Sequence, residues 1–211
     1  MTTIIDYGVG NLFSLACSLE KIGEQVHLTS DADTILAAER IILPGVGAFE
    51  DAARKLRRSG LDRVLLQKAA MGTPILGICL GMQMLFDKSF EFGEHQGLGL
   101  IPGKVMPIAP VIGSLKTPQM GWNALIFPKD KPKHPIFKYV NEGDYVYFVH
   151  SYAAMDCEES VTALTEYGAL LTAAACRGNV CGTQFHPEKS GSVGLAILRA
   201  FTEIPADGGA L

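Results

Sequence analysis

The stretch Pro74-Ile-Leu-Gly-Ile-Cys-Leu-Gly-Met-Gln83 decides the fold of this chain. Its first part, Pro74 to Ile78, is an unbroken apolar run, which is typical of a central parallel strand buried on both faces. Gly77-Ile78-Cys79-Leu80-Gly81 then has the pattern of a nucleophile elbow, a sharp strand-to-helix turn, with Cys in place of Ser. Because the strained turn needs neighbours without bulky side chains, Gly77 and Gly81 suit it. The stretch predicts an α/β fold with Cys79 at the turn.

The first half of the chain alternates short β-branched runs with helical patterns, as βαβ units of a parallel sheet do. Strands are predicted at 3–6, 25–28, 40–43 and 74–78, and helices at 12–22, 49–58 and 61–71. Asn11 is placed to cap the first helix and Gly23 to end it. After Asp87 the sequence contains more Gly and Pro, with short segments in which apolar and polar residues alternate. These predict antiparallel, hairpin-linked strands at 144–149, 160–165, 169–176 and 179–184, before a last helix at 194–201.

Together these patterns predict one α/β domain over residues 1–204. We expect a flavodoxin-like or hydrolase-like open sheet with a mostly parallel centre, antiparallel C-terminal strands and helices on both faces. Residues 205–211, rich in small side chains, are predicted to be a mobile tail.

The composition excludes several classes of function. The 211 residues carry 18 Lys+Arg and 22 Asp+Glu, a net charge of −4, without long runs of like charge, so nucleic acid and anionic membranes are not expected partners. No signal peptide or bilayer-length apolar stretch is visible, and we expect a soluble, cytoplasmic protein. The five cysteines form no Cys-x-x-Cys spacing, which argues against a disulfide framework and a zinc ribbon. Each Cys is expected to be a small core residue unless something singles it out, and no metal is expected.

A second motif gives Cys79 a partner. In Gly182-Thr-Gln-Phe-His-Pro-Glu188 the residue before Pro187 is held extended, and residues two apart in extended chain point the same way. Glu188 can therefore orient His186, whose other ring nitrogen can face a nucleophile. A structural His and a buried structural Cys are the alternatives. The helix N-terminus after Cys79 favours a thiolate, and the combination predicts a Cys79–His186–Glu188 triad.

Two further features suggest a pocket around Cys79. Pro44-Gly-Val-Gly47 follows the predicted strand 40–43, and its backbone N–H groups, with that of Leu80, can stabilise an oxyanion. A phosphate-binding turn or a simple strand-to-helix turn would have a similar sequence. Gln83, one helical turn after Cys79, can face the same pocket, either as a substrate contact or as a core hydrogen bond.

These motifs resemble those of the class I, or triad-type, glutamine amidotransferase family, over nearly the whole chain. The matching segments are 6–11, 44–49, 77–83, 120–123, 147–152 and 185–190. The first of them, the Pro-Gly-Val-Gly loop and Met120-Gly-Trp-Asn123 point to its histidine-pathway branch. The resemblance implies that Cys79 attacks the carboxamide of glutamine and that His186, held by Glu188, passes a proton to the departing nitrogen. Water then releases glutamate from the thioester, without any cofactor.

The resemblance also implies roles for other residues. The oxyanion hole would combine Leu80 with the Val46–Gly47 peptide, which has to turn over in relatives. Glutamine would be held by a set of four residues: Gln83, Glu91, Ser151 and Tyr152. A (β/α)8-barrel synthase would be the partner, meeting a second set: Trp122, Asn123, Tyr147 and Lys189. As the only Trp, Trp122 could instead be a core aromatic.

Two positions depart from the family pattern, and two other functions stay open. Gln119 stands where relatives often carry His, and Phe90 stands where an acidic residue often precedes Glu91. One alternative function is a glutaminase subunit of another pathway, such as that of pyridoxal phosphate. The other is a flavodoxin-like domain that uses Cys79 for redox or binding chemistry, although a sensor thiol needs no His-x-Glu pair.

Overall fold

A seven-stranded sheet forms the centre of the molecule, which a computed structural model describes over residues 1–206. In order across the sheet, the strands are β11 (Val161–Glu166), β12 (Leu170–Arg177), β13 (Val180–Thr183), β4 (Ile75–Ile78), β3 (Arg40–Leu43), β1 (Thr2–Ile5) and β2 (Val26–Thr29). The strands from β13 to β2 are parallel, and β12 and β11 are antiparallel. The predicted open sheet with a parallel centre and antiparallel C-terminal strands is confirmed.

Helices cover both faces of this sheet, as predicted. One face carries α2 (Ala32–Leu36), α3 (Phe49–Arg58), α4 (Leu61–Ala70) and α5 (Leu80–Leu85), and the other carries α1 (Leu12–Lys21) and α6 (Gly191–Thr202). Because successive strand residues point to opposite faces, Ile75 joins the first apolar cluster and Leu76 the second. Within residues 1–206, every helix is too short or too polar to cross a lipid bilayer.

Within the described residues, six strands lie outside the main sheet. Four form a second sheet in the order β10 (Tyr152–Met155), β7 (Ile101–Pro107), β5 (Phe86–Ser89) and β6 (His95–Gln96), while β8 (Gln119–Ala124) pairs with β9 (Tyr145–His150). The strand predicted at 144–149 exists as β9, but its expected hairpin link to the later strands was wrong. The chain that follows it enters the second sheet as β10, and β9 pairs with β8 instead.

The ends of two predicted helices also differ. Asn11 stands at the start of α1 but its side chain makes no capping hydrogen bond; the helix is held instead by burial of Leu15 and Leu19. Helix α6 begins at Gly191 rather than at 194. Of the predicted tail, residues 207–211 lie outside the described residues, and the domain boundary at 204 stays a prediction.

Three neighbouring parallel strands bring the chemical motifs together. Register pairs Leu43 of β3 with Gly77 of β4, and Thr183 of β13 with Ile78 of β4. The segments that leave the carboxyl ends of these strands therefore meet at one edge of the sheet, where open α/β sheets bind ligands. Those segments carry the Pro44–Gly47 loop, Cys79 and His186.

Candidate active site

Cys79 sits in a strained backbone conformation at the end of β4, with φ 54° and ψ −111°. Its N–H donates to the Thr183 carbonyl at 2.7 Å, which fixes the turn to β13. A Cβ added to Gly81 would lie 1.9 Å from the Leu43 carbonyl oxygen, and one added to Gly77 would lie 2.6 Å from the Gly81 oxygen. The close approach of backbone to backbone is the physical reason for both glycines.

One pocket gathers most of the predicted site residues around Cys79. Its lining is Val46, Gly47, Cys79, Leu80, Gln83, Glu91, Pro118, Val149, His150, Ser151, Tyr152, His186 and Lys189. All of the predicted oxyanion and glutamine-contact residues are in this set. Glu188 is the one member of the predicted triad that does not line the pocket, and it can act there through His186.

His186 and Glu188 form a buried pair, with Nδ1–H donating to Oε1 at 2.8 Å. The Nε2 atom of His186 is buried and has no hydrogen-bond partner within residues 1–206. Burial opposes protonation of the imidazole, but Cys79 and Glu188 outweigh it and raise the pKa of His186 to about 9. A protonated imidazole beside the thiol is the environment in which a Cys nucleophile is activated.

Neighbouring backbone and side chains hold the His186 segment in place. The His186 N–H donates to the Tyr147 carbonyl at 2.9 Å, and the Ser190 hydroxyl donates to the His186 carbonyl at 2.6 Å. The same hydroxyl accepts the Tyr147 N–H at 2.9 Å. The backbone of His186 is therefore held against β9 as well as joined to β13.

Gln184 is a site residue that sequence reasoning missed. It is fully buried, its Nε2 donates to Cys79 Sγ at 3.7 Å, and its Oε1 accepts from Gln83 Nε2 at 3.0 Å. Gln83 also donates to the Tyr152 carbonyl, so its amide lines the pocket and is held by core hydrogen bonds. The signal was available, because Gln184 is a polar residue beside the apolar end of β13 and a buried amide needs hydrogen-bond partners.

His150 is a second missed residue. Its Nδ1–H donates to the Tyr152 carbonyl at 2.9 Å, and its Nε2 is buried without a partner among the described residues. Burial, with a smaller contribution from the charge of His186, lowers the pKa of His150 to about 4. At neutral pH His150 is thus an uncharged imidazole in the wall of the pocket.

The Pro44–Gly47 loop presents free donors. Within the described chain, the N–H groups of Val46, Gly47 and Leu80 make no hydrogen bond. The start of the loop is fixed by Tyr7, whose hydroxyl donates to the Pro44 carbonyl at 2.8 Å. Gly47 has φ +100°, a conformation that glycine adopts readily. These groups are the ones an oxyanion hole needs.

Three of the predicted partner residues lie on β8 and β9, and the fourth, Lys189, lies in the 3₁₀ turn at Pro187–Lys189 and lines the pocket. Trp122 and Tyr147 are directly paired, with ring centroids 6.0 Å apart, and Lys189 Nζ lies 5.8 Å from the Tyr147 ring centre. Trp122 is 53% exposed, so the alternative of a core aromatic does not hold. The side-chain amide of Asn123 makes two hydrogen bonds within the chain, one with the side chain of Gln119 and one with the carbonyl of Glu166.

The two departures from the family pattern have local explanations. Gln119 is fully buried, and its side-chain NH₂ group donates a hydrogen bond to the side-chain oxygen of Asn123. Phe90 receives the ammonium of Lys88 on its ring, 5.2 Å from the centre. Glu91 still lines the pocket, and its Oε2 accepts the Phe49 N–H.

The other cysteines differ from expectation at one position. Cys17 is exposed, so the prediction that it is a core residue was wrong. Its position is on the outer side of α1, away from the stripe formed by Leu15 and Leu19. Cys157, Cys176 and Cys181 are buried, as expected.

Comparison with known proteins agrees with this geometry. The family model described as glutamine amidotransferase class-I matches residues 3–203. The solved structure of a glutamine amidotransferase superposes with a TM-score of 0.73 at 17% identity, covering 95% of this chain and 97% of that one. The structure of PurLQS from Thermotoga maritima gives a TM-score of 0.66 at 19% identity, covering 95% of this chain and 96% of that one. This chain belongs to the class I glutamine amidotransferase family, and it is an enzyme of that class.

The relatives by sequence are more specific. The chain is 49% identical to the imidazole glycerol phosphate synthase subunit HisH of Carboxydothermus hydrogenoformans, over 97% of this chain and 100% of that protein. It is 45% identical to the subunit of the same name from Oceanobacillus iheyensis, over 97% and 99%. Similarity therefore extends along the full length of these proteins.

Proposed function

We propose that this chain is the glutaminase subunit of imidazole glycerol phosphate synthase. It hydrolyses glutamine to glutamate and ammonia, and passes the ammonia to a synthase subunit that makes imidazole glycerol phosphate and an aminoimidazole carboxamide ribotide in histidine biosynthesis. One observation carries the proposal: Cys79 and His186, whose ring is held by the buried Glu188, meet in one pocket, in a chain 45–49% identical to HisH subunits.

The geometry supports a two-stage reaction. The Cys79 thiolate attacks the side-chain carboxamide carbon of glutamine, and the oxygen that becomes negative is stabilised by N–H groups of Leu80 and the Val46–Gly47 peptide. The imidazolium of His186 gives its Nε2 proton to the nitrogen, which leaves as ammonia while a γ-glutamyl thioester remains. His186, now neutral, takes a proton from water as the water attacks the thioester. Glutamate leaves, and the thiolate–imidazolium pair is restored.

Groups around the pocket are suited to hold glutamine. Glu91 uses one carboxylate oxygen for the Phe49 N–H, which leaves the other for the α-ammonium of the substrate. We assign Gln83, Ser151 and Tyr152 to the remaining polar contacts, because they line the pocket beside Cys79.

A partner surface adjoins the pocket. Met120, Trp122 and Tyr145 on β8 and β9 are 64%, 53% and 59% exposed, and Lys189 joins this patch to the pocket lining. Buried aromatic residues are frequent hot spots of interfaces. We propose that Trp122, Asn123, Tyr147 and Lys189 meet a (β/α)8-barrel synthase, which covers the pocket and keeps ammonia from being protonated in bulk water.

The free N–H groups of Val46 and Gly47 suggest how the partner controls the reaction. Because these exposed residues make no hydrogen bond of their own within residues 1–206, their peptide is free to turn over when the partner docks. We expect the isolated chain to hydrolyse glutamine slowly, and the complex with its nucleotide substrate to hydrolyse it orders of magnitude faster. Five free thiols fit a reducing compartment, and we propose that the enzyme works in the cytoplasm.

The decisive experiment compares two nitrogen sources. In the complex with the synthase subunit, Cys79→Ala should abolish glutamine-dependent synthesis and leave synthesis from ammonium salts intact. Cys157→Ala, which removes another buried thiol, is the matched control and should retain both activities. Loss of both activities in Cys79→Ala, with the complex still assembled, would mean that this division of labour is wrong.

A further inference from the structure

A cluster of two thiols and an imidazole lies outside the active site. Cys176 of β12 and Cys181 of β13 stand directly opposite each other in the antiparallel pair, and His134 comes from the 3₁₀ turn at Pro135–Phe137. His134 Nδ1 lies 3.8 Å from Cys176 Sγ, and its Nε2 lies 4.0 Å from Cys181 Sγ. One donor atom from each residue falls within 4.8 Å of the others.

These distances suit one thiophilic ion. With Zn–S bonds of about 2.3 Å and Zn–N bonds of about 2.0 Å, tetrahedral geometry places donors roughly 3.5–3.8 Å apart. One ion binds a single ring nitrogen, and the donor set with one atom from each residue lies within 4.8 Å. Shifts of up to about 1 Å therefore bring these donors to tetrahedral spacing. Two thiolates would neutralise a divalent ion, so that no net charge is buried.

The surroundings give the ion a route and a free position. His134 and Cys176 line a cleft together with Lys131, Lys133 and Thr162, through which water can reach the donors. The ammonium groups of both lysines donate hydrogen bonds to backbone carbonyls, and this reduces their electrostatic repulsion of a cation at the site. Three protein ligands with one open position are a common zinc coordination.

A hydroxyl outside the cluster supports Cys176. The Thr162 hydroxyl lies 3.7 Å from the Cys176 sulfur and can donate to it. Hydrogen-bonded partners of this kind hold metal ligands in position.

We propose that His134, Cys176 and Cys181 form a binding site for Zn²⁺ or a similar thiophilic ion. The ion attaches the segment around His134 to the central sheet, and coordination through Nδ1 replaces the long 3.3 Å hydrogen bond from the Ile136 N–H. Cys181 is level with Leu76 in the sheet, roughly 10 Å along the strand from the level of Cys79 at about 3.3 Å per residue. The site is therefore separate from the site of glutamine hydrolysis.

The test uses the full chain in a Cys79→Ala background, which removes the other thiol–imidazole pair. Metal is stripped with a chelator under anaerobic, reducing conditions, and Zn²⁺ is titrated in competition with a chromophoric chelator. Co²⁺ is used as a spectroscopic probe of thiolate ligation. We expect one ion per chain, together with thiolate-to-cobalt charge-transfer absorption. Absence of either result at micromolar metal overturns the proposal.

Variants identify the ligands. Loss of a hydrogen-bond partner of a metal ligand costs about 10–100-fold in affinity, so Cys176→Ser and Cys181→Ser should each cost more than about 100-fold. Cys157→Ser, which removes a buried thiol near Thr172, is the matched control and should bind as the background does. Equal affinity in all of these variants, or an equal loss in the control, overturns the proposal.

A surface variant keeps the test valid if the serine variants fold poorly. His134 is only partly buried, and His134→Asn keeps a small polar side chain there. Zn²⁺ should raise the thermal midpoint of the background protein, by linkage to the folded state, and should leave the midpoint of His134→Asn unchanged. An equal rise in both proteins overturns the assignment.

Discussion

Glu188→Gln tests how the buried carboxylate supports the imidazole, because it keeps the shape of the side chain and removes its charge. The pKa of His186 rises from 6.5 to about 9, which corresponds to about 3.4 kcal/mol in favour of the imidazolium at about 1.36 kcal/mol per pKa unit. At pH 7.5 that pKa keeps roughly 97% of the ring protonated. The substitution removes the part of the rise that Glu188 supplies, while Cys79 supplies the rest, so the reactive ion pair becomes rarer on this ground alone.

The amide causes a second loss. Its NH₂ group can donate to Nδ1 of His186, which moves the ring proton to Nε2 and gives the tautomer that cannot act as a base toward water. The two effects together should lower kcat for glutamine-dependent synthesis by about 100-fold or more, with KM for glutamine changed less than about threefold.

Steady-state synthesis by the assembled complex measures this effect, with ammonium-dependent synthesis as the internal reference. Glu20→Gln, which alters an exposed carboxylate on α1, is the matched control and should behave as the unaltered protein. A Glu188→Gln enzyme that keeps more than about a tenth of kcat would refute the proposed role of the carboxylate.

Three other perturbations give separate tests. The lowered pKa of His150, about 4 against 6.5, means that its contribution to stability is complete above pH 6.5 and is lost as the pH falls to 4. Denaturant titrations should show this loss, up to about 3.4 kcal/mol, and His150→Asn should remove it; an unchanged pH dependence contradicts the assignment. Gly81→Ala should lower the free energy of unfolding by more than about 2 kcal/mol and inactivate the glutaminase. The control Gly178→Ala, which has open space around its Cβ, should lower it by about 1 kcal/mol. Equal losses in the two variants would contradict the close packing at Gly81. Trp122→Ala should weaken binding to the synthase subunit by about 2 kcal/mol in calorimetry, without changing the stability of the chain. Tyr139 is similarly exposed, and Tyr139→Ala should leave binding intact. Unaltered binding by Trp122→Ala would show that Trp122 is not part of the interface.

The sequence predicted the parts of the fold that local patterns specify. Strand β4 is an uninterrupted apolar run, and the glycines flanking Cys79 mark the turn that follows it, so both could be located from neighbouring residues. Strands β5 to β8, strand β10 and helix α2 were missed, and their length is not the reason, because β7 is longer than the predicted β4. Their stability comes from partners distant in the chain, which periodicity does not reveal.

The same limit applies to the site. The His186–Glu188 pair was predicted from its spacing, but the extended geometry expected for it was wrong, because Pro187–Lys189 forms a 3₁₀ turn directly after His186. Gln184 and His150 acquire their roles from contacts with Cys79, Gln83 and Tyr152, which lie on other elements. The spacing from Cys176 to Cys181 has no meaning for metal binding until β12 and β13 pair and the turn at His134 closes over them.

The hydrogen bond from the Cys79 N–H to Thr183 has a consequence for protein synthesis. The two residues are roughly 100 positions apart, and pairing of distant segments is a slow, late step of folding. Because β13 and His186 follow Cys79 in the sequence, a ribosome must add roughly 100 residues after the thiol before it acquires its base. Nascent or C-terminally truncated chains are therefore expected to be unable to consume glutamine.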